Sequence, residues 1–121
     1  MAALYANDND LKDALEKAAQ RSNEKLWHMP LEAAYKESLK SSIADLKNIS
    51  GLKGAGSITA ALFLQEFVEK ARWAHIDMAG PVVDSNHATG FGVKTLVDFV
   101  LHSKKPVAAA ATTTETAVKA E

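Results

Sequence analysis

Few residues in this 121-residue chain have both the type and the spacing for chemistry. His75 and Asp77 stand two apart in the run Trp73-Ala74-His75-Ile76-Asp77-Met78-Ala79. On a strand such residues share a face, so an imidazole and a carboxylate would lie side by side, as in the beginning of a zinc site. Two ligands are not a site, and Asp84 and His87 join them only through a specific fold of the following loop. The reading favoured by these residues is a hydrogen-bonded pair at the end of a buried strand. Ser57 would complete a nucleophile, base and acid set with His75 and Asp77, but no Gly-x-Ser-x-Gly elbow surrounds it. The run Ser50-Gly51-Leu52-Lys53-Gly54-Ala55-Gly56 holds three of the six glycines. Gly51 and Gly56 have the separation of a phosphate-binding loop. The next two residues, however, are Ser57 and Ile58, where that loop needs Lys and then Ser or Thr. The segment reads as a structural turn or a substrate-facing loop, with weak anion binding at the next helix start as the lesser alternative. Spacing alone therefore assigns no catalytic residue and no metal ligand.

The elements that must carry these residues follow from periodicity. Asn7, Asp8 and Asn9 are helix-starting types, and Leu11, Ala14, Leu15 and Ala18 recur at helical spacing, predicting a helix over 8–21. Lys12, Asp13, Glu16 and Lys17 form its solvated face. Pro30 suits the opening of a second helix, whose apolar face is Leu31, Ala34, Tyr35, Ser38 and Leu39. The alternation in Ile43-Ala44-Asp45-Leu46-Lys47-Asn48-Ile49 predicts a half-buried strand. Ser57 is the expected N-cap of a helix over 58–70, apolar almost all round in its first two turns and so buried on several sides. A strand is expected over 73–79, a loop over 83–92, and a last helix over 93–102. Val93, Leu96, Val97, Val100 and Leu101 form an apolar stripe on that last helix. Trp27, Tyr35, Phe63, Phe67, Trp73 and Phe91 sit in apolar patterns and read as core. The order is helix, helix, strand, helix, strand, helix, an α/β fold with helices covering a sheet. Two short strands make a poor independent sheet, which points to a part of something larger. Residues 1–105 read as the folded portion and 106–121 as an Ala/Thr-rich disordered tail.

Composition narrows the function classes. With 14 basic and 15 acidic residues the net charge is −1, which argues against nucleic acid or a polybasic membrane contact. The absence of Cys excludes disulfides, thiolate metal sites and Cys nucleophiles. No apolar run approaches the ~20 residues of a membrane span, and the first nine residues lack the pattern of a secretory signal.

Several segments stand out together, colinear over 2–102. They are Ala3-Leu4-Tyr5-Ala6-Asn7-Asp8, Glu24-Lys25-Leu26-Trp27-His28-Met29-Pro30-Leu31, Ser42-Ile43-Ala44-Asp45-Leu46-Lys47-Asn48 and Ala55-Gly56-Ser57-Ile58-Thr59-Ala60-Ala61-Leu62-Phe63-Leu64. Trp73-Ala74-His75-Ile76-Asp77-Met78-Ala79-Gly80-Pro81 and Ala88-Thr89-Gly90-Phe91-Gly92-Val93-Lys94-Thr95-Leu96-Val97 complete the set. Together they resemble the C-terminal part of a leucyl aminopeptidase of the cytosol aminopeptidase family, in its plant and cyanobacterial branch. The resemblance implies a segment of a mixed sheet flanked by helices, from a metallopeptidase catalytic domain. It implies removal of N-terminal residues from peptides, Leu preferred, by a homohexamer using two divalent ions, manganese or zinc. The implied compartment is the cytoplasm, with a plastid open to a full-length parent.

The family takes its metal ligands from a Lys and two Asp upstream and from an Asn-Thr-Asp-Ala-Glu-Gly-Arg motif. That motif is not in this sequence, and the Asp residues at 8, 10, 13, 45, 77, 84 and 98 lie in no such context. The resemblance thus implies no catalytic residue and no metal ligand here, and an inactive chain when isolated. What it carries over is pocket wall at Ile49, Ala79 and Val82. Two rivals stand beside this reading. One is a non-catalytic interaction protein docking onto full-length aminopeptidase subunits. The other is a free-standing small-ligand binder using the loop over 51–57.

Overall fold

A five-residue strand, β1 (Ala2–Ala6), occupies the middle of the sheet. The computed structural model describes residues 1–103, so the tail over 106–121 lies outside the described residues. β1 pairs in parallel with β2 (Leu26–His28) and antiparallel with β3 (Ala74–Asp77), making a mixed three-stranded sheet. Leu4 and Tyr5 point to opposite faces, yet both are completely buried. Helices α1 (Asn9–Arg21), α2 (Gly56–Gln65) and α3 (Val93–His102) complete the fold, together with a 3-10 helix, Ala33–Leu39. A small hairpin, β4 (Val83–Asp84) and β5 (His87–Ala88), stands apart from the sheet. The expected α/β class holds: a mixed sheet flanked by helices.

Local chemistry explains most boundaries. Asp8 caps α1 by accepting from the Leu11 N–H at 2.7 Å, and Leu15, Ala18 and Ala19 form its buried stripe. The turn after α1 returns the chain to the sheet, where the Ala2 N–H donates to the Lys25 carbonyl at 3.0 Å. Glu32 accepts from the Ala34 N–H and opens the 3-10 helix, replacing the α-helix expected after Pro30.

Three expectations are corrected. The first concerns strands: β1 and β2 were not foreseen. The Ala-rich run Ala-Ala-Leu-Tyr-Ala has weak strand propensity, and burial on both faces erases the alternation that marks a strand. The second concerns the segment over 43–49, which forms no strand. Ile43 is 95% and Ile49 77% exposed. Alternation describes side chains, whereas a strand needs a backbone partner, and this segment pairs with none. The third concerns α2, which begins at Gly56 after Ala55 in the left-handed region (φ 53°), so Ser57 is inside the first turn rather than the cap. The helix also ends at Gln65, short of 70, where the N–H groups of Glu66, Phe67 and Val68 tighten onto carbonyls three residues back.

α3 occupies its expected span. It packs on α1 through Thr95 and the Asp98–Phe99 side. The stripe of Val93, Leu96, Val97, Val100 and Leu101 faces outward, each residue between 48% and 75% exposed. The helix start lacks a cap of its own, since Gly92 precedes it at φ 89°. Glu24, far back in sequence, fills that role. Its carboxylate accepts from the N–H groups of Gly92 (3.1 Å) and Thr95 (3.2 Å) and from the Thr95 hydroxyl (2.6 Å). A side chain at Gly92 would also crowd the Met78 sulfur, which lies 3.3 Å from where a Cβ would stand.

Two predictions follow from these contacts. Glu24→Ala leaves three donors without their acceptor, and should lower stability by ~1–3 kcal/mol in urea unfolding, with Glu24→Gln losing less. The second concerns acid. The Arg21 guanidinium donates to Asp98 (Nε to Oδ1, 2.8 Å) and holds its carboxyl below the usual range. The Leu11 N–H, and then Arg72, lower Asp8 in the same way. The unfolded chain therefore binds more protons than the native one just below the ordinary Asp range near pH ~4, so stability rises with pH there. It should be intact at neutral pH and fall as pH drops through the lowered values. Asp98→Asn should flatten that acid limb when unfolding midpoints are followed against pH.

Candidate functional site

The residues singled out for chemistry meet at one end of the sheet. Tyr5 on β1 stands opposite His75 on β3, and Ala3 opposite Asp77, so Tyr5, His75 and Asp77 share a face. The Tyr5 hydroxyl donates to the Ser57 hydroxyl at 2.8 Å, and Ser57 donates to Asp77 Oδ2 at 2.6 Å. A strand at the centre, the first turn of α2 and the last residue of β3 are thereby joined by one chain of hydrogen bonds. The His75 ring stacks on both neighbours, with centroids 6.0 Å from Tyr5 and 6.2 Å from Trp73.

This geometry decides between the sequence readings. Ser57 and Asp77 do come together, but the hydroxyl bonds the carboxylate directly, with no imidazole between them. A catalytic triad needs the imidazole to take the hydroxyl proton, so this set is not one. The metal reading fares no better. Asp77 is engaged by Ser57, His75 lies in an aromatic stack, and Asp84 and His87 face each other on the separate β4–β5 hairpin. Among the described residues no three His, Asp or Glu side chains group as metal ligands. The donor set present therefore does not fit a divalent metal pair. In the loop over 51–57, Gly51 (φ 73°) and Gly54 (φ 104°) use conformations that glycine favours. It is a turn leading into α2.

The three residues carried over as pocket wall lie on two loops. Ile49 is exposed in the irregular segment ahead of α2, Ala79 is exposed just beyond β3, and Val82 is half-buried. Thr89 braces the second loop: its hydroxyl donates to the Pro81 carbonyl at 2.6 Å and its N–H to the Val82 carbonyl at 2.9 Å. Two grooves lie elsewhere. One, of about 560 Å³, runs between α1 and α3 and is lined by Lys17, Arg21, Arg72, Phe99 and His102. The other, of about 510 Å³, is lined by Glu24, Leu26 and Trp27 among others. Sequence reasoning missed Tyr5 and Glu24 as organising groups. Both lie in the family-like segments but show no chemical spacing of their own; each acts on residues more than 50 positions away, Tyr5 on Ser57 and Glu24 on Gly92.

The overall fold recurs in solved structures, and the sequence in curated relatives. The model of the cytosol aminopeptidase family, catalytic domain, matches residues 1–97. A probable cytosol aminopeptidase of Synechococcus sp. (strain CC9605) is 55% identical over 109 residues, covering 84% of this chain and 22% of that protein. One from Nostoc punctiforme is 52% identical over 108 residues, with coverage of 84% and 22%. Among solved structures, a mutant of tomato leucine aminopeptidase superposes with a TM-score of 0.79 at 48% identity, over 84% of this chain and 21% of that one. The bottromycin maturation enzyme BotP, in complex with Mn, gives 0.76 at 35% identity, over 82% and 24%. The chain thus spans about a fifth of the length of the curated relatives it matches. With the family's catalytic-domain pattern running from residue 1 to residue 97, the chain belongs to the cytosol aminopeptidase family.

Proposed function

We propose that this chain forms the C-terminal part of an aminopeptidase catalytic domain and supplies one wall of its substrate pocket. The complete enzyme removes N-terminal residues from peptides, Leu preferred. In the complete enzyme two divalent ions, manganese or zinc, would supply the chemistry by activating water toward the scissile carbonyl. Those ions are held by parts of the enzyme outside the residues described. Ile49, Ala79 and Val82 contribute apolar surface, and the small side chain of Ala79 leaves room for a leucine-sized group. The assembly is a homohexamer and its compartment the cytoplasm, with a plastid as the alternative for a full-length parent. Residues 1–105 belong to the catalytic domain.

The observation that supports this reading is the colinear family match over 1–97, joined to a TM-score of 0.79 against a plant leucine aminopeptidase. A second reading draws on a different feature. The outward apolar stripe of α3 suits a non-catalytic chain that docks onto full-length aminopeptidase subunits. No described helix is long and apolar enough to cross a membrane.

The two readings separate by size. An immunoblot against the segment over 106–121 should reveal a native protein several times larger than 13.0 kDa. A band at 13.0 kDa that co-purifies with a longer aminopeptidase would select the docking reading. The purified 121-residue chain, given Mn or Zn, should release no Leu from leucine p-nitroanilide. Metal-dependent release by that chain would overturn the assignment of the ligands to other parts of the enzyme.

A further inference from the structure

The geometry points to Ser57 as a positioning residue that sets the spacing between the two loops of the pocket wall, and through it the size of the substrate side chain accepted. This inference rests on the function proposed above. It begins from a hydroxyl in an unexpected role. A Ser at the start of a helix ordinarily caps its own amides, and α2 starts with no side-chain cap at all. Ser57 instead makes two tertiary bonds, accepting from Tyr5 at 2.8 Å and donating to Asp77 at 2.6 Å.

Both partners are informative. Tyr5 is completely buried on the central strand, so its hydroxyl is a fixed point. Asp77 is the last residue of β3, and Ala79 follows two residues later. On the other side, Ser57 is the second residue of α2. The loop bearing Ile49 reaches that helix through Ala55, whose left-handed conformation is uncommon for a residue other than glycine. The Ser57–Asp77 bond therefore fastens the exit of one pocket loop to the entrance of the other. The far end of the second loop is already held, by Thr89 on the carbonyls of Pro81 and Val82. Met78, between Asp77 and Ala79, rests its sulfur against Gly92. With those attachments in place, the Ser57 bond sets where the loop bearing Ala79 and Val82 begins relative to the end of the loop that carries Ile49. A pocket that discriminates by size is sensitive to small shifts of its walls.

The test places the whole 121-residue chain in the Synechococcus relative, in place of its matching segment. Hydrolysis of leucine and phenylalanine p-nitroanilides is then compared among the parent chimera, Ser57→Ala, Tyr5→Phe and Ser57→Thr. Tyr5→Phe keeps the ring and removes only the donor that orients Ser57. Ser57→Ala and Tyr5→Phe should each change the Leu/Phe ratio of kcat/KM by about fivefold or more, mainly through KM. Ser57→Thr, which keeps the hydroxyl, should restore the parental ratio. A parent chimera that cleaves neither anilide overturns the proposed function and the positioning role with it. An active parent whose Ser57→Ala and Tyr5→Phe forms keep its ratio within about twofold overturns the positioning role alone.

Discussion

Leu4 and Tyr5 are neighbours on one strand, point to opposite faces, and are both completely removed from solvent. Everything else in the described structure is arranged around that double burial. Covering both faces of β1 requires elements above and below the sheet. Withdrawing each of these side chains from water is worth ~1.5–3 kcal/mol. β2 and β3 satisfy the backbone groups of β1 on either edge. α1, which packs on β1, provides the crossover that a parallel β1–β2 pair demands. A polar tip on a buried Tyr needs a partner, and Tyr5 finds it in Ser57. The core strand thereby dictates where the first turn of α2 can sit, and through Asp77 where β3 ends.

A second long-range carboxylate governs α3. Glu24 supplies the anion that a helix N-terminus favours and satisfies amides that Gly92 cannot reach. Arg21 and Asp98 then fix the rotation of α3 on α1. The consequence is that the polar side of α3 faces inward and its apolar stripe outward. Five exposed apolar residues on one helix are more than an isolated surface ordinarily carries. The family match accounts for the kind of protein involved, one in which this segment is about a fifth of the length.

The elements legible in the sequence were those with strong local signals. α1 has capping residues and a single apolar stripe, and its span was read within a residue. α3 was read to the residue, although the stripe that marked it faces outward. β3 was recognisable from its aromatic and branched run. The elements that were not legible depend on partners. β1 shows no strand alternation of its own, and the segment over 43–49 looks like a strand until none pairs with it. Ser57 carries the strongest N-cap type in its neighbourhood, yet its hydroxyl is more useful to Tyr5 and Asp77 than to its own helix.

The sequence by itself determined the composition class, two of the three α-helices, the strand ending in Asp77, and a colinear set of segments specific enough to point to a family. These are properties of local spacing and of residue identity. Only the tertiary structure decided that Ser57 meets Asp77 without an imidazole, that His75 lies in an aromatic stack, and that Glu24 caps a helix far along the chain. The reason is physical. Hydrogen-bond partners and burial are set by which elements are brought into contact, and residues more than 50 positions apart acquire that relation only once the central strand is covered on both faces.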